Sequence, residues 1–154
     1  MTSHQPPGYT CPFCAVVAGR DTSWNAQSDI VFRDAATTAF ISPKWWDAAP
    51  AHVLVVPNEH FENVYVIPES LLGSVYATSR RIACALKASH ECDGTSTRQH
   101  NEPGGGQDVW HFHVHVFPRR ERDRLYARNG ETRLVSVDER APWAERVRDA
   151  LAEV

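Results

Sequence analysis

Three histidines recur at every second position in QDVWHFHVHVFPRR, residues 107–120: His111, His113 and His115. Imidazole can ligate a metal, exchange a proton near neutral pH, or attack an electrophile as a nucleophile. In an extended strand, positions i, i+2 and i+4 share one face and stand about 6.5–7 Å apart. The three histidines therefore line one side, and Phe112, Val114 and Val116 line the other. The apolar set predicts packing on a core. The imidazole set predicts an opening, because burying three imidazoles needs a partner for each. Metal binding by all three fits less well, since their nitrogens spread along a line and a tetrahedral ion with bonds of about 2.0–2.1 Å takes two more easily.

Immediately before them stands NEPGGGQ, Asn101 to Gln107. Gly104, Gly105 and Gly106 remove side chains, so backbone N–H groups can come close to an anion. Beside a line of imidazoles this suggests a phosphoryl group held by amides while a histidine attacks phosphorus. Asn101 and Gln107, at the loop ends, are placed either to hold a leaving group or sugar, or simply to form the turn. A second constellation is Cys11-x-x-Cys14, which has the spacing of a zinc half-site and is also compatible with a reactive dithiol or with free thiols.

The elements that position these residues follow from periodicity. CPFCAVVAGR, residues 11–20, predicts a helical turn stopped at Gly19, with Val16 and Val17 inward. Short strands are expected at 30–33, 37–41 and 52–57, with a turn at Asp34. SPKWWDAAP, residues 42–50, reads as a proline-bracketed loop whose paired Trp45 and Trp46 cover a pocket or an interface. From Pro68 the apolar stripe Leu71, Leu72, Val75, Tyr76, Ser79, Ile82, Ala83 and Leu86 predicts a long amphipathic helix ending near Ser89 to Asp93. GTSTRQH, residues 94–100, is a polar strand; the histidine strand is expected to stop at Pro118; a last helix is expected from near Pro142, with Trp143, Val147 and Leu151 on one side. Paired strands around one long helix make the fold α+β with a mostly antiparallel sheet.

The chain has 154 residues, 42% hydrophobic and 23% charged, which suits one globular domain with a proper core. A formal charge of −3 argues against broad binding to nucleic acid or an anionic membrane. The basic stretch RRERDRLYAR, residues 119–128, is interrupted by acids and reads as a solvated loop. No apolar run approaches the ~18 residues of a membrane span, and MTSHQPPGYT does not resemble a signal peptide, so a cytoplasmic location is expected. In that compartment four cysteines are not expected to form a disulfide framework, and Cys84 and Cys92 read as free thiols. Residues 1–10 are expected to be a disordered arm, and residues 11–154 one domain, with a core over 11–120 and a C-terminal extension over 121–154.

QDVWHFHVHVFPR resembles the His-x-His-x-His signature of the histidine triad (HIT) superfamily of nucleotide hydrolases and transferases. CPFCAVVAGR is similar to the N-terminal Cys-x-x-Cys segment of many bacterial members, AHVLVVPNEHFENV to their Gly-His-x-Leu-Val-x-Pro-x-x-His segment, and RQHNEPGGGQDV to the loop before the triad. The resemblance implies a five-stranded antiparallel sheet with one long and one C-terminal helix, in a two-fold homodimer. It implies that His113 attacks the α-phosphorus of a nucleotide and forms a covalent nucleotidyl-histidine. His115 would bond the phosphate oxygens, His52 would support the triad, and Asn101, Gly106, Gln107 and Asp108 would contact phosphate and leaving group. It further implies a structural zinc on Cys11, Cys14, His60 and His111. His4, His90 and His100 are left as surface or turn residues.

The sequence departs from the family pattern at two places. Relatives usually carry a ribose-binding Asp, where AFISPKWWDAAPAH offers Ser42 or Asp47, and many have Ser or Thr where Asp108 stands. A carboxylate beside phosphates is repulsive unless protonated or turned away, so Asp108 could serve the leaving group as an acid. Two readings follow: a nucleotide hydrolase or transferase acting on phosphoramidates, dinucleoside polyphosphates or similar conjugates, and a non-catalytic nucleotide- or zinc-binding regulatory protein.

Overall fold

Alternation along two strands decides how the molecule is layered. In the computed structural model, which describes residues 2–127 and 132–153, β1 is Ile30–Arg33, β2 Thr37–Ile41, β3 Lys44–Trp46, β4 Val53–Pro57, β5 Gly94–Gln99, β6 Val114–Arg119 and β7 Thr132–Leu134. Five of them form one antiparallel sheet in the order β1-β2-β4-β6-β5, and β3 pairs with β7 in a separate two-stranded sheet. The helices are α1 Pro12–Val17, α2 Glu69–Ser89, α3 Glu102–Gly105 and α4 Val137–Ala152.

One face of the large sheet presents Ala39, Ile41, Val53, Val55, Val114 and Val116 to Val75, Ile82, Ala85 and Leu86 of α2 and to Ala144, Val147 and Ala150 of α4. Each large aliphatic side chain buried there contributes roughly 1.5–3 kcal/mol of transfer free energy. The opposite face carries Phe40, Leu54 and Val56 against Phe13 and Val16 of α1. Because successive residues alternate, His52 shares a face with Leu54, and His113 and His115 are turned away from Val114 and Val116. The sheet thus separates a hydrocarbon core from an imidazole-bearing face.

The antiparallel α+β architecture, α1, the Asp34 turn and the α2 stripe are as expected. Several boundaries differ for physical reasons. The His111–His115 segment is regular strand only from Val114, yet the expected division of faces holds, with Phe112 in the core. Pro118 does not end β6, which continues to Arg119; β4 pairs no further along β6 than Val116, so no ladder donor is missed at the proline. The last helix begins five residues before Pro142, because Ser136 caps it by accepting from the Glu139 N–H at 3.2 Å. The glycine loop folds into the single turn α3, closed by Gly106 in the left-handed region at φ 80°.

The predicted 42–50 loop contains β3. Trp45 is core rather than surface: it is 2% exposed, donates from Nε1 to the Ser42 carbonyl at 2.6 Å, and meets Trp143 edge-on. Tyr76 lies outside the buried stripe of α2 and is exposed. His90 is not a surface residue; it is buried at the end of α2 against Trp143. Residues 2–10, expected as a disordered arm, touch the body: Ser3 Oγ and the His4 N–H donate to the Glu62 carboxylate, and Tyr9 Oη accepts from the Trp110 N–H. In the 119–128 stretch Arg119 forms a bidentate pair with Asp123; Arg128 lies outside the described residues.

Candidate active site and metal centre

The imidazole face opens into a cleft of about 390 Å³, within the range of small-ligand sites. His113, His115, His52, Ser42 and Asp108 line it, together with Phe13, Trp24, Asn25, Lys44, Trp46, Leu54 and Leu134. Each histidine has its own anchor. His113 Nδ1 lies 2.7 Å from the His111 carbonyl. A carbonyl only accepts, so Nδ1 carries the proton and Nε2 the lone pair. His115 Nδ1 lies 3.2 Å from His52 Nε2. The His113 and His115 rings are 4.9 Å apart, and Phe13 stands edge-on to His113 at 5.3 Å.

Burial holds the group neutral. It lowers the His113 pKa, with the His111 carbonyl and Asp108 pulling the other way. His115 is held well below the usual histidine range by burial and then by His113, His52, His100 and Arg98. His52 is pushed down to about 3 by burial, Arg98 and His113. Neutral imidazole is the nucleophilic form, and three of them share one cleft at pH 7.

The loop residues do not enter the cleft in the same way. The Gln107 amide donates to the Glu62 and Val109 carbonyls and its Oε1 accepts from the Glu102 N–H. Asn101 Oδ1 accepts from the Val64 N–H at 2.8 Å. The Gly106 and Gln107 N–H groups donate to the Pro103 and Glu102 carbonyls. These side chains and amides hold the loop that leads into the triad. Ser42 Oγ exchanges hydrogen bonds with the Lys44 backbone, while Asp47 pairs with Arg133 away from the cleft. Trp46 lines the cleft and packs at 5.7 Å from His52, as expected of one member of the tryptophan pair.

Residues the sequence did not point to are Trp24, Asn25, Lys44 and Leu134, which reach the cleft through tertiary contacts. Leu134 arrives because β7 pairs with β3. Trp24 and Asn25 are held by a buried cluster. Arg140 of α4 donates from Nε and Nη2 to the two Asp29 oxygens at 2.8 Å, and also to the Trp24 and Val135 carbonyls. Asn25 donates to the same carboxylate.

Two residues before His113, His111 joins Cys11, Cys14 and His60, and the four ligand atoms lie within 4.8 Å of one another. Cys11 Sγ and Cys14 Sγ lie 3.4 and 3.6 Å from His111 Nδ1, Cys14 Sγ lies 3.2 Å from His60 Nδ1, and the two Nδ1 atoms are 3.2 Å apart. Tetrahedral ligands at bond lengths of about 2.0–2.3 Å are separated by about 3.3–3.8 Å, so the spacing suits one ion. The tautomers agree. His111 Nε2 donates to the Pro57 carbonyl at 3.0 Å, which leaves Nδ1 as a lone pair facing the sulfurs. Gln5 Nε2 is 2.8 Å from His60 Nε2 on the outer side. Burial and the Cys11 sulfur push the Cys14 thiol up to about 12, so its thiolate needs a neighbouring cation. These four residues can hold a metal ion.

The HIT domain family matches residues 24–122. The protein hit of Bacillus subtilis is 32% identical over 109 residues, covering 71% of this chain and 70% of that protein. Adenosine 5′-monophosphoramidase HNT1 of Candida albicans is 24% identical over 158 aligned residues, covering 100% of this chain and 97% of that protein. A Zn-bound histidine triad family protein from Mycobacterium smegmatis superposes with a TM-score of 0.76 at 26% identity, covering 94% of each chain. No described helix is long and apolar enough to cross a membrane. The family match spans more than half of the sequence and includes the three spaced histidines and the strands that carry them: the chain belongs to the histidine triad (HIT) family.

Proposed function

We propose that this protein is a nucleotide hydrolase or nucleotidyltransferase. It acts at the α-phosphorus of nucleoside phosphoramidates, dinucleoside polyphosphates or related conjugates, through a covalent nucleotidyl-histidine on His113. The observation that carries the reading is the anchoring of His113. Its Nδ1 is committed to the His111 carbonyl at 2.7 Å in a buried cleft, so a neutral ring directs a free Nε2 lone pair at the ligand space. The likeness to a Candida albicans adenosine 5′-monophosphoramidase supports the substrate class.

His115 and His52 then act as a pair. Charge builds on the non-bridging oxygens as Nε2 of His113 approaches phosphorus, and a preorganised donor is needed there. If His52 donates from Nε2 to His115 Nδ1, the proton of His115 must sit on its Nε2, making that ring a donor to phosphate. The opposite tautomer pair would present a lone pair to an anion. Phosphate thus selects the first arrangement.

Zinc is proposed as the ion on Cys11, Cys14, His60 and His111, with a structural role: two thiolates and two imidazoles form a closed set. It would tie α1 to the segment that carries His111. A homodimer is proposed as the working assembly, supported by exposed Tyr76 on α2, exposed Tyr65 and Val66 beside it in sequence, and the open edge of β5. Light scattering of the eluting protein should give twice the chain mass. A cytoplasmic location is in keeping with four unpaired cysteines.

The test is to mix the protein with a nucleoside phosphoramidate, quench with denaturant near neutral pH, and map adducts by mass spectrometry. A nucleotidyl group on His113, lost in His113→Ala together with turnover, is the expected result. Ligand binding with neither adduct nor turnover would instead favour a nucleotide-binding regulator. Ser42, which offers one hydroxyl already bonded to the Lys44 backbone in place of a ribose-binding carboxylate, is the observation on that side.

A further inference from the structure

The mechanism above leaves one proton unaccounted for. An amine or alcohol departing from phosphorus must gain a proton, and His113, His115 and His52 are otherwise engaged: one Nδ1 is tied to a carbonyl, and the other two rings bond each other. A fourth imidazole stands next to them. His100 follows β5 directly, one step past the pair Gln99–Val114, which puts it across from His113. Its ring centroid is 5.9 Å from that of His115, with the two planes at 89°.

His100 is as firmly oriented as the triad. Its Nδ1 lies 2.6 Å from the Gly105 carbonyl at the end of α3. The carbonyl can only accept, so Nδ1 keeps its proton and Nε2 is the atom that gains or loses one. Unlike His113 and His52, His100 is only partly buried. Imidazole is the commonest general acid–base group in enzymes.

We propose that His100 is the proton-transfer residue of this site. The proposal rests on the nucleotidyl-histidine reading. In the first half-reaction His113 Nε2 bonds to the α-phosphorus and the bond from phosphorus to the leaving nitrogen or oxygen breaks. The leaving atom keeps the electron pair and takes the Nε2 proton of His100 imidazolium. In the second half-reaction neutral His100 accepts a proton from water as that water bonds to phosphorus. The phosphorus–His113 bond breaks, its electron pair returns to Nε2, and His100 regains the proton it gave. The cycle consumes one water and leaves both rings as they began.

The experiment compares two leaving groups in His100→Asn, whose side-chain N–H can still donate to the Gly105 carbonyl. The readout is the rate of nucleotidyl-His113 formation in single turnovers. With an alkylamine phosphoramidate, which needs protonation, formation should fall by about 100-fold, whereas with a p-nitrophenyl nucleotide ester, which does not, it should change by less than about threefold. Steady-state hydrolysis of the ester should slow, because the second half-reaction lacks its base. In His100→Ala, added imidazole should restore part of the amidate rate, which guards against a folding defect in the asparagine variant. Equal loss with both leaving groups, or no loss with either, overturns the assignment and leaves the nucleotidyl-histidine intact. Selective loss in Asp108→Asn instead transfers the role to Asp108. Absence of any adduct in the parent protein overturns the underlying reading, and this proposal with it.

Discussion

His52 Nε2 and His115 Nδ1 face each other at 3.2 Å with their rings stacked at 5.3 Å, and both side chains are held neutral. Two neutral imidazoles in that position share one proton, and its owner decides whether the cleft meets a phosphate with a donor or a lone pair. His52 is therefore expected to be a positioning residue. His52→Ala should lower kcat by about 100-fold, the cost of losing one preorganised donor, with a smaller change in KM. His52→Gln, which can donate to His115, should recover part of that loss. Steady-state kinetics on a phosphoramidate checks it, and an unaltered kcat in His52→Ala would sink it.

The metal centre should be required for stability more than for chemistry. Protein purified without chelator is expected to carry about one zinc per chain, and Cys14→Ser or His60→Ala to carry much less. Those variants should lose several kcal/mol of unfolding free energy, since ion binding is folding free energy for the segments it joins. Elemental analysis paired with denaturant unfolding measures both. Zinc-free protein of undiminished stability would remove the proposed ion.

Arg140 and Asp29, 2% and 0% exposed in their side chains, form a buried ion pair that supports the cleft wall at Trp24 and Asn25. Arg140→Met should destabilise by roughly 3–5 kcal/mol, because it strands a buried carboxylate. Adding Asp29→Asn should recover part of this, since the stranded charge is then gone. Urea unfolding of the single and double variants measures the coupling, and additive losses would contradict it.

Acid should weaken the fold through histidines buried in the neutral state. His52 is held at about 3 and His90 at about 4, the latter by burial and then by Arg146 and Arg120. In the unfolded chain each titrates near ~6.5, so as pH falls below that value the unfolded state binds protons the folded state refuses. Stability from these two groups is fully present above about pH 7 and falls by up to about 1.4 kcal/mol per pH unit per histidine toward pH 4. Unfolding curves between about pH 7 and pH 5 should show this slope, and His90→Gln should reduce it. A slope unaffected by that substitution would exclude His90 as a source.

Local pattern carried much of the fold. The alternation in HFHVHV assigned faces correctly even though the regular strand starts only at Val114, because side-chain direction in extended chain does not depend on ladder hydrogen bonds. The α2 stripe was readable for the same reason, with Tyr76 as its exception. Boundaries set by single hydrogen bonds were not readable. Ser136 starts α4 ahead of Pro142, and Trp45 becomes core through its bond to the Ser42 carbonyl and its contact with Trp143, nearly a hundred residues away.

What the sequence by itself determined was the chemical inventory and its local order: three imidazoles on one face, two thiols at metal spacing, and a glycine turn ahead of them. Tertiary structure alone decided which partner each would have. Four ligand atoms from residues 11 to 111 converge on one point, and His52 crosses from β4's end to His115. His100, read from the sequence as a surface or turn residue, is turned by the Gly105 carbonyl toward the triad. The reason is physical: spacing fixes side-chain direction over a few residues, whereas a proton's position on an imidazole depends on the acceptor the folded chain sets beside it.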